Sequence, residues 1–97
     1  MTDEKRPLMK IPTIHRNGTP WKALLEPIIK AGREVRRAEE ALRAAWPNGR
    51  DYYPQGPEAL PEAVRQWEAM QIDLVSVRLR LEQIADGIWD GAEDEAR

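Results

Sequence analysis

TPWKALLEPIIKAGREVRRAEEALRAAWPNG, residues 19–49, decides the fold. Within it Trp21, Ile28, Val35 and Leu42 recur every seven residues, and Leu24, Ala31, Ala38 and Ala45 fall three places after each. Apolar residues at the first and fourth positions of a heptad make a seam along which one helix packs on another. Its three alanines let the partner helix come close. Thr19 offers an N-cap and Pro20 a first-turn residue whose missing N–H costs nothing. Pro47 and the turn pair Asn48-Gly49 close the segment, so the spacing predicts a helix over 19–46. Pro27 lies inside the run. It cannot donate to the carbonyl of Ala23 and its ring crowds that carbonyl, which predicts a bend near 23–27, and Gly32 adds local softness.

A second heptad follows. Leu60, Trp67, Leu74, Leu81 and Ile88 are seven apart, with Ala63, Met70, Val77 and Ile84 three places after the first four. This predicts a helix over 58–90, with Pro61 in its first turn and Gly91 as its stop. At 1.5 Å per residue the two helices should run roughly 40 and 45 Å. The connection, residues 47–57, is short enough for an antiparallel two-helix hairpin. Trp46 and Trp67 would then close the loop end and Trp21 and Trp89 the open end.

Residues 1–18 read as an extended arm, because Pro7 and Pro12 discourage helix. Leu8, Met9, Ile11 and Ile14 should hold it against the hairpin, and Asn17-Gly18 turns it into the first helix. Residues 92–97 read as an acidic tail. The second helix carries another apolar stripe, Ile72, Val75, Leu79 and Trp89, away from its seam. One partner helix cannot cover both faces, and a two-helix hairpin buries little surface. The fold class is therefore all-α: a hairpin with an N-terminal arm, assembling as a helical-bundle homo-oligomer, a homodimer or higher. Part of the arm, Leu8, Ile11 and Ile14, is an alternative cover for the stripe.

Composition narrows the function. Ninety-seven residues make one domain. No run of about 18 apolar residues suggests a membrane span, and Met1–Arg6 lacks the apolar core of a signal peptide, so a cytoplasmic protein is expected. With no cysteine there is neither disulfide nor thiolate metal site. The net charge of −2 hides +5 in residues 1–50 and −7 in residues 51–97. Either the charges flank the seam or the basic half presents an anion-binding patch. Nucleic acid is an unlikely partner, because Glu34, Glu39 and Glu40 interrupt the basic stretch Arg33, Arg36, Arg37 and Arg43. An enzyme is not expected. Ser76 lies mid-helix with no histidine near it in sequence, and Glu39-Glu40, Glu58/Glu62 and Asp86/Asp90 read as solvated surface. No cofactor or metal is expected.

The loop is denser in chemistry than a turn requires. Arg50 offers a planar fork for phosphate or carboxylate, with Asp51 to orient it. Tyr52 and Tyr53 offer flat faces for a base. Asn48 and Gln55 can read a ring edge, and Arg43, in line with Arg36 and Arg50, could extend the site. The competing reading is a rigid corner in which Arg50 pairs with Asp51, the tyrosines cover the Trp46/Trp67 end and the amides cap helices. A second polar cluster, His15, Arg16 and Asn17, lies at the other end of the hairpin. In an antiparallel dimer it would meet the loop of the other chain.

Ile14-His15-Arg16-Asn17-Gly18-Thr19 and Pro47-Asn48-Gly49-Arg50-Asp51-Tyr52-Tyr53-Pro54-Gln55 resemble a family of small helical proteins encoded by bacteriophages and prophages. Its members carry an Ile-His-x-Asn-Gly-Thr opening and a Pro-Asn-Gly-Arg-Asp-Tyr-Tyr block between two long helices. The resemblance spans residues 11 to about 88. The family's helices lack a proline at the position of Pro27, so it does not extend to the shape of the first helix. It implies a phage protein in the bacterial host cytoplasm, accessory to virion building. Many such proteins counter host defence, by blocking a host defence protein or sequestering a nucleotide-derived signal. Two function classes follow. One is a non-enzymatic protein binding a small anionic nucleotide-like ligand through the loop. The alternative is a protein–protein interaction inhibitor or structural adaptor using helical faces and exposed tyrosines.

Overall fold

The computed structural model describes residues 9–96; Leu8 and the rest of the first eight residues lie outside them. Two helices, α1 (Trp21–Ala44) and α2 (Ala59–Ala96), pack against each other along an antiparallel hairpin. The molecule measures 64 × 32 × 16 Å. Its thinnest dimension is little more than one helix diameter with side chains, so this is a single layer. Among the described residues the buried apolar side chains are Ala63 and Ile88, of which Ile88 is fully buried. Stable domains pack two layers around a core. Here the seam is a line of half-buried side chains.

The element boundaries differ from the sequence expectations at three points: both ends of α1 and the end of α2. Helix α1 starts at Trp21, and Thr19 does not cap it: Pro20 stands at the N-cap with extended φ −58° and ψ 146°, and no side chain caps the end. Helix α1 stops at Ala44, two residues before Trp46. It runs through Pro27, which is exposed. Helix α2 continues through Gly91 to Ala96, so residues 92–96 extend the helix rather than form a separate tail. Gly91 is not a helix stop because its missing side chain serves the arm, as described below. With 24 and 38 residues, the helices are about 36 and 57 Å long.

The predicted lines through Trp21, Ile28, Val35 and Leu42 and through Leu60, Trp67, Leu74, Leu81 and Ile88 turn inward, but their companion lines depart from the expectation at four positions. In mid-hairpin Ala38, Ala45, Met70 and Val77 are exposed. The line that turns inward there is the next one round: Leu25, Gly32 and Glu39 on α1, with Trp46 just beyond its end, and Val64, Gln71, Arg78 and Ala85 on α2. This choice shelters Leu25 on α1 and Trp46 just past its end, which carry far more apolar surface than the alanines of the other line. Glu39, read as solvated from sequence, is consequently 4% exposed.

The arm is held at the open end. A side chain on Gly87 would meet Ile11 Cγ2 at 2.7 Å, and one on Gly91 would meet Ile14 Cγ1 at 3.3 Å. These glycines, one helical turn apart, form a bare strip on α2 into which the two isoleucines settle. Ile11 and Ile14 therefore do not cover the outer stripe, where Ile72 and Leu79 are exposed among the described residues, and Leu8, the third residue of that alternative, lies outside them. The Trp21 and Trp89 rings meet edge to face, with centroids 5.3 Å apart at 84°, and close the open end as the spacing predicts. Lys22 Nζ sits 5.6 Å from the centroid of Trp21.

Candidate functional site

Loop 47–57 is built from two successive 3-10 turns, Gly49–Asp51 and Tyr53–Gln55. Asn48 fixes the first: its Oδ1 accepts from the backbone N–H of Arg50 at 3.0 Å. Gly56 ends the second with φ 110° and ψ 167°, backbone that a side chain would strain. Gly49 packs toward Leu60 of α2. The loop is thus anchored at both ends by local geometry.

Its side chains divide in two. Asn48 acts within the loop and Tyr52 is half-buried, as a rigid corner requires. Arg50, Asp51, Tyr53 and Gln55 face solvent, Tyr53 at 76% exposure. Among the described residues Arg50 forms no ion pair with Asp51 or any other carboxylate. The corner reading thus accounts for Asn48 and Tyr52 and leaves the other four without an internal role.

His15, Arg16 and Asn17 form a turn at the opposite end of the hairpin, closed by the Gly18 N–H donating to the His15 carbonyl at 3.1 Å. The His15 imidazole lies over Gly18, where an added Cβ would sit 2.6 Å from Nε2. All three residues are exposed. Within one chain the two polar clusters stand at opposite ends of a 64 Å rod and do not form one site. Arg43 is exposed in the last turn of α1, and Arg36 turns toward Glu82, 3.8 Å from Nη2 to Oε2. Because α1 ends at Ala44, no continuous helical face carries Arg36 and Arg43 on to Arg50.

A cluster that sequence reading missed lies mid-hairpin. Arg78 on α2 grips Glu39 on α1 with two bonds, Nε to Oε2 at 2.6 Å and Nη2 to Oε1 at 3.2 Å. Its Nη1 donates to Glu82 Oε2 at 3.3 Å. The hydrogen bond from Arg78 holds the Glu39 carboxyl below its ordinary pKa, against the opposing effect of burial, and raises Arg78 in return. Charges do flank the seam, but not with basic α1 simply facing acidic α2: Glu39 to Arg78 reverses the sense of Arg36 to Glu82. Beside this network runs a shallow groove of about 280 Å³, floored by Ile28, Gly32, Leu81 and Ala85 and rimmed by Arg33 and Arg36. The signal that could have found it is the seven-residue line through Gly32 and Glu39 facing that through Arg78 and Ala85.

Among the described residues no group of three or more His, Asp or Glu could hold a metal ion, and no helix is long and apolar enough to cross a membrane. Comparison with protein families, curated proteins and solved structures finds no match to this chain.

Proposed function

We propose that this is a non-enzymatic, self-associating phage accessory protein that binds a small anionic, nucleotide-like ligand through loop 47–57. The observation that carries the reading is Arg50: an exposed guanidinium without an ion-pair partner among the described residues, on a loop that is fixed by Asn48 and Gly56 and that also exposes Tyr53. A fixed loop loses little freedom on binding. Arginine supplies a two-pronged anion contact and tyrosine a stacking face. Self-association is supported by the single-layer architecture, which leaves Ile72, Leu79, Met70 and Val77 exposed. The two sequence blocks that resemble phage proteins support a counter-defence role in the bacterial cytoplasm, by sequestering a nucleotide signal. The same exposed apolar row favours the second reading, an inhibitor or adaptor that docks on a host protein.

Thermal shift against nucleotides, cyclic oligonucleotides and ADP-ribose derivatives separates the two. A ligand at 100 times its dissociation constant adds about 2.7 kcal/mol of stability. The expected result is a raised melting temperature that Arg50→Ala abolishes while helicity by circular dichroism stays intact. No response across the panel overturns the ligand reading in favour of the protein partner, and an unfolded Arg50→Ala makes the loop structural.

A further inference from the structure

The outer face of α2 has the pattern of a helix that pairs with itself. Arg65, Ile72, Leu79 and Asp86 are seven apart on one line of α2, and all four are exposed, Ile72 at 68% and Leu79 at 41%. Val75 joins Ile72 and Leu79 at helical spacing, with Ala69 and Ser76 as small neighbours. Among the described residues neither Arg65 nor Asp86 takes part in an ion pair. Among the described residues of the arm, Ile11 and Ile14 lie on Gly87 and Gly91 rather than on this face.

Resting on the self-association proposed above, we infer that this face docks on the same face of a second copy, antiparallel, about a twofold axis between Val75 and Ser76. In that alignment Ile72 of each copy meets Leu79 of the other, and Arg65 of each meets Asp86 of the other. The contact is isologous. It spans the 22 residues 65–86, about 33 Å of helix. No exposed charge between 65 and 86 then stands opposite a like charge: Glu68 and Glu82 face Gln83 and Ala69, while Asp73 and Arg80 stand level with Arg78 and Gln71, which turn into the seam. A parallel pairing would set every charge against its own copy. A slip of one heptad puts Asp86 on Ile72 or Arg65 on Leu79. The sequence of α2 therefore selects one orientation and one register, as complementary charges do at helix–helix contacts.

The test is sedimentation equilibrium on the full chain. Ile72→Glu with Leu79→Glu should weaken association roughly a hundredfold, because two carboxylates are forced against apolar partners, with helicity unchanged. Met70→Glu with Val77→Glu, on the other flank, should leave association unchanged. Arg65→Asp should weaken it roughly fivefold to tenfold, and adding Asp86→Arg should restore it. That rescue reads the pairing even if the glutamate variant misfolds. If association survives both the glutamate pair and the charge reversal, this face is not the interface; loss in Met70→Glu/Val77→Glu then assigns it to the other flank, and self-association stands. A wild-type chain monomeric at all concentrations overturns self-association and this interface together, and leaves the loop reading to its own ligand test.

Discussion

The two ends of the hairpin use glycine for opposite purposes. At the loop end Gly56 supplies a backbone angle, φ 110°, that no side chain adopts comfortably. At the open end Gly87 and Gly91 keep ordinary helical backbone and supply empty space, which Ile11 and Ile14 fill. The loop end is thereby shaped by the chain's local conformational rules and presents its polar groups outward. The open end is shaped by contact between distant segments: arm on helix, Trp21 on Trp89. A locally determined corner survives loss of packing; a packed end does not.

Five substitutions, in four experiments, test that contrast. The largest effect belongs to Ile88→Ala at the open end. Ile88 is 1% exposed, and truncation should cost about 2–4 kcal/mol, read as a lower urea midpoint. A cost under 1 kcal/mol would show that the open end is not held by packing. Gly56→Ala at the loop end should cost about 1–3 kcal/mol through backbone strain alone, with helicity otherwise unchanged. A neutral result would mean the loop adopts another conformation at no cost.

Between the ends, the Glu39–Arg78 pair should make the protein acid-sensitive. Its carboxyl titrates lower in the folded chain than in the unfolded one, so its contribution is complete above the ordinary carboxylate range. It is lost as pH falls through the lowered folded value. Glu39→Gln should flatten the acid limb of a melting-temperature profile, and an unchanged limb would assign the sensitivity elsewhere. The smallest net effect compares two glycines within helices. Gly32→Ala, where an added Cβ meets nothing within 4 Å, should gain about 1 kcal/mol in helix propensity. Gly87→Ala should gain no net stability, because its Cβ displaces Ile11, and trypsin should then cut faster after Lys10 or Arg16. Equal gains at both positions would mean that the arm does not depend on the bare strip.

The hairpin, its handing-over loop and the tryptophan pair at the open end were legible because each rests on periodicity or on Pro and Gly punctuation near in sequence. The seam's phase was not. Counting apolar residues favours the line through Ala38, Met70 and Val77, while the neighbouring line shelters Leu25 and Trp46 and joins Glu39 to Arg78, a pairing across 39 positions that sequence spacing does not show. Gly91 was misleading for a related reason. A helix-stop glycine and a packing glycine are the same letter, and Ile14, the partner that tells them apart, lies far away in sequence. In the loop, residue types fix what Arg50 and Tyr53 can offer; which of the loop's side chains are already occupied within the fold had to be seen.

The bare strip has a consequence for how the molecule breathes. Each glycine inside a helix costs about 1 kcal/mol relative to alanine, so the last turns of α2 are a weak helix by themselves. Docking of Ile11 and Ile14 offsets that weakness, and the arm in turn is held there by those turns. The two segments, at opposite termini of the chain, therefore open and close as one cooperative unit. The amides in the last turns of α2 should exchange with solvent hydrogen faster than those of mid-hairpin, and faster still when Ile11 and Ile14 are replaced by alanine.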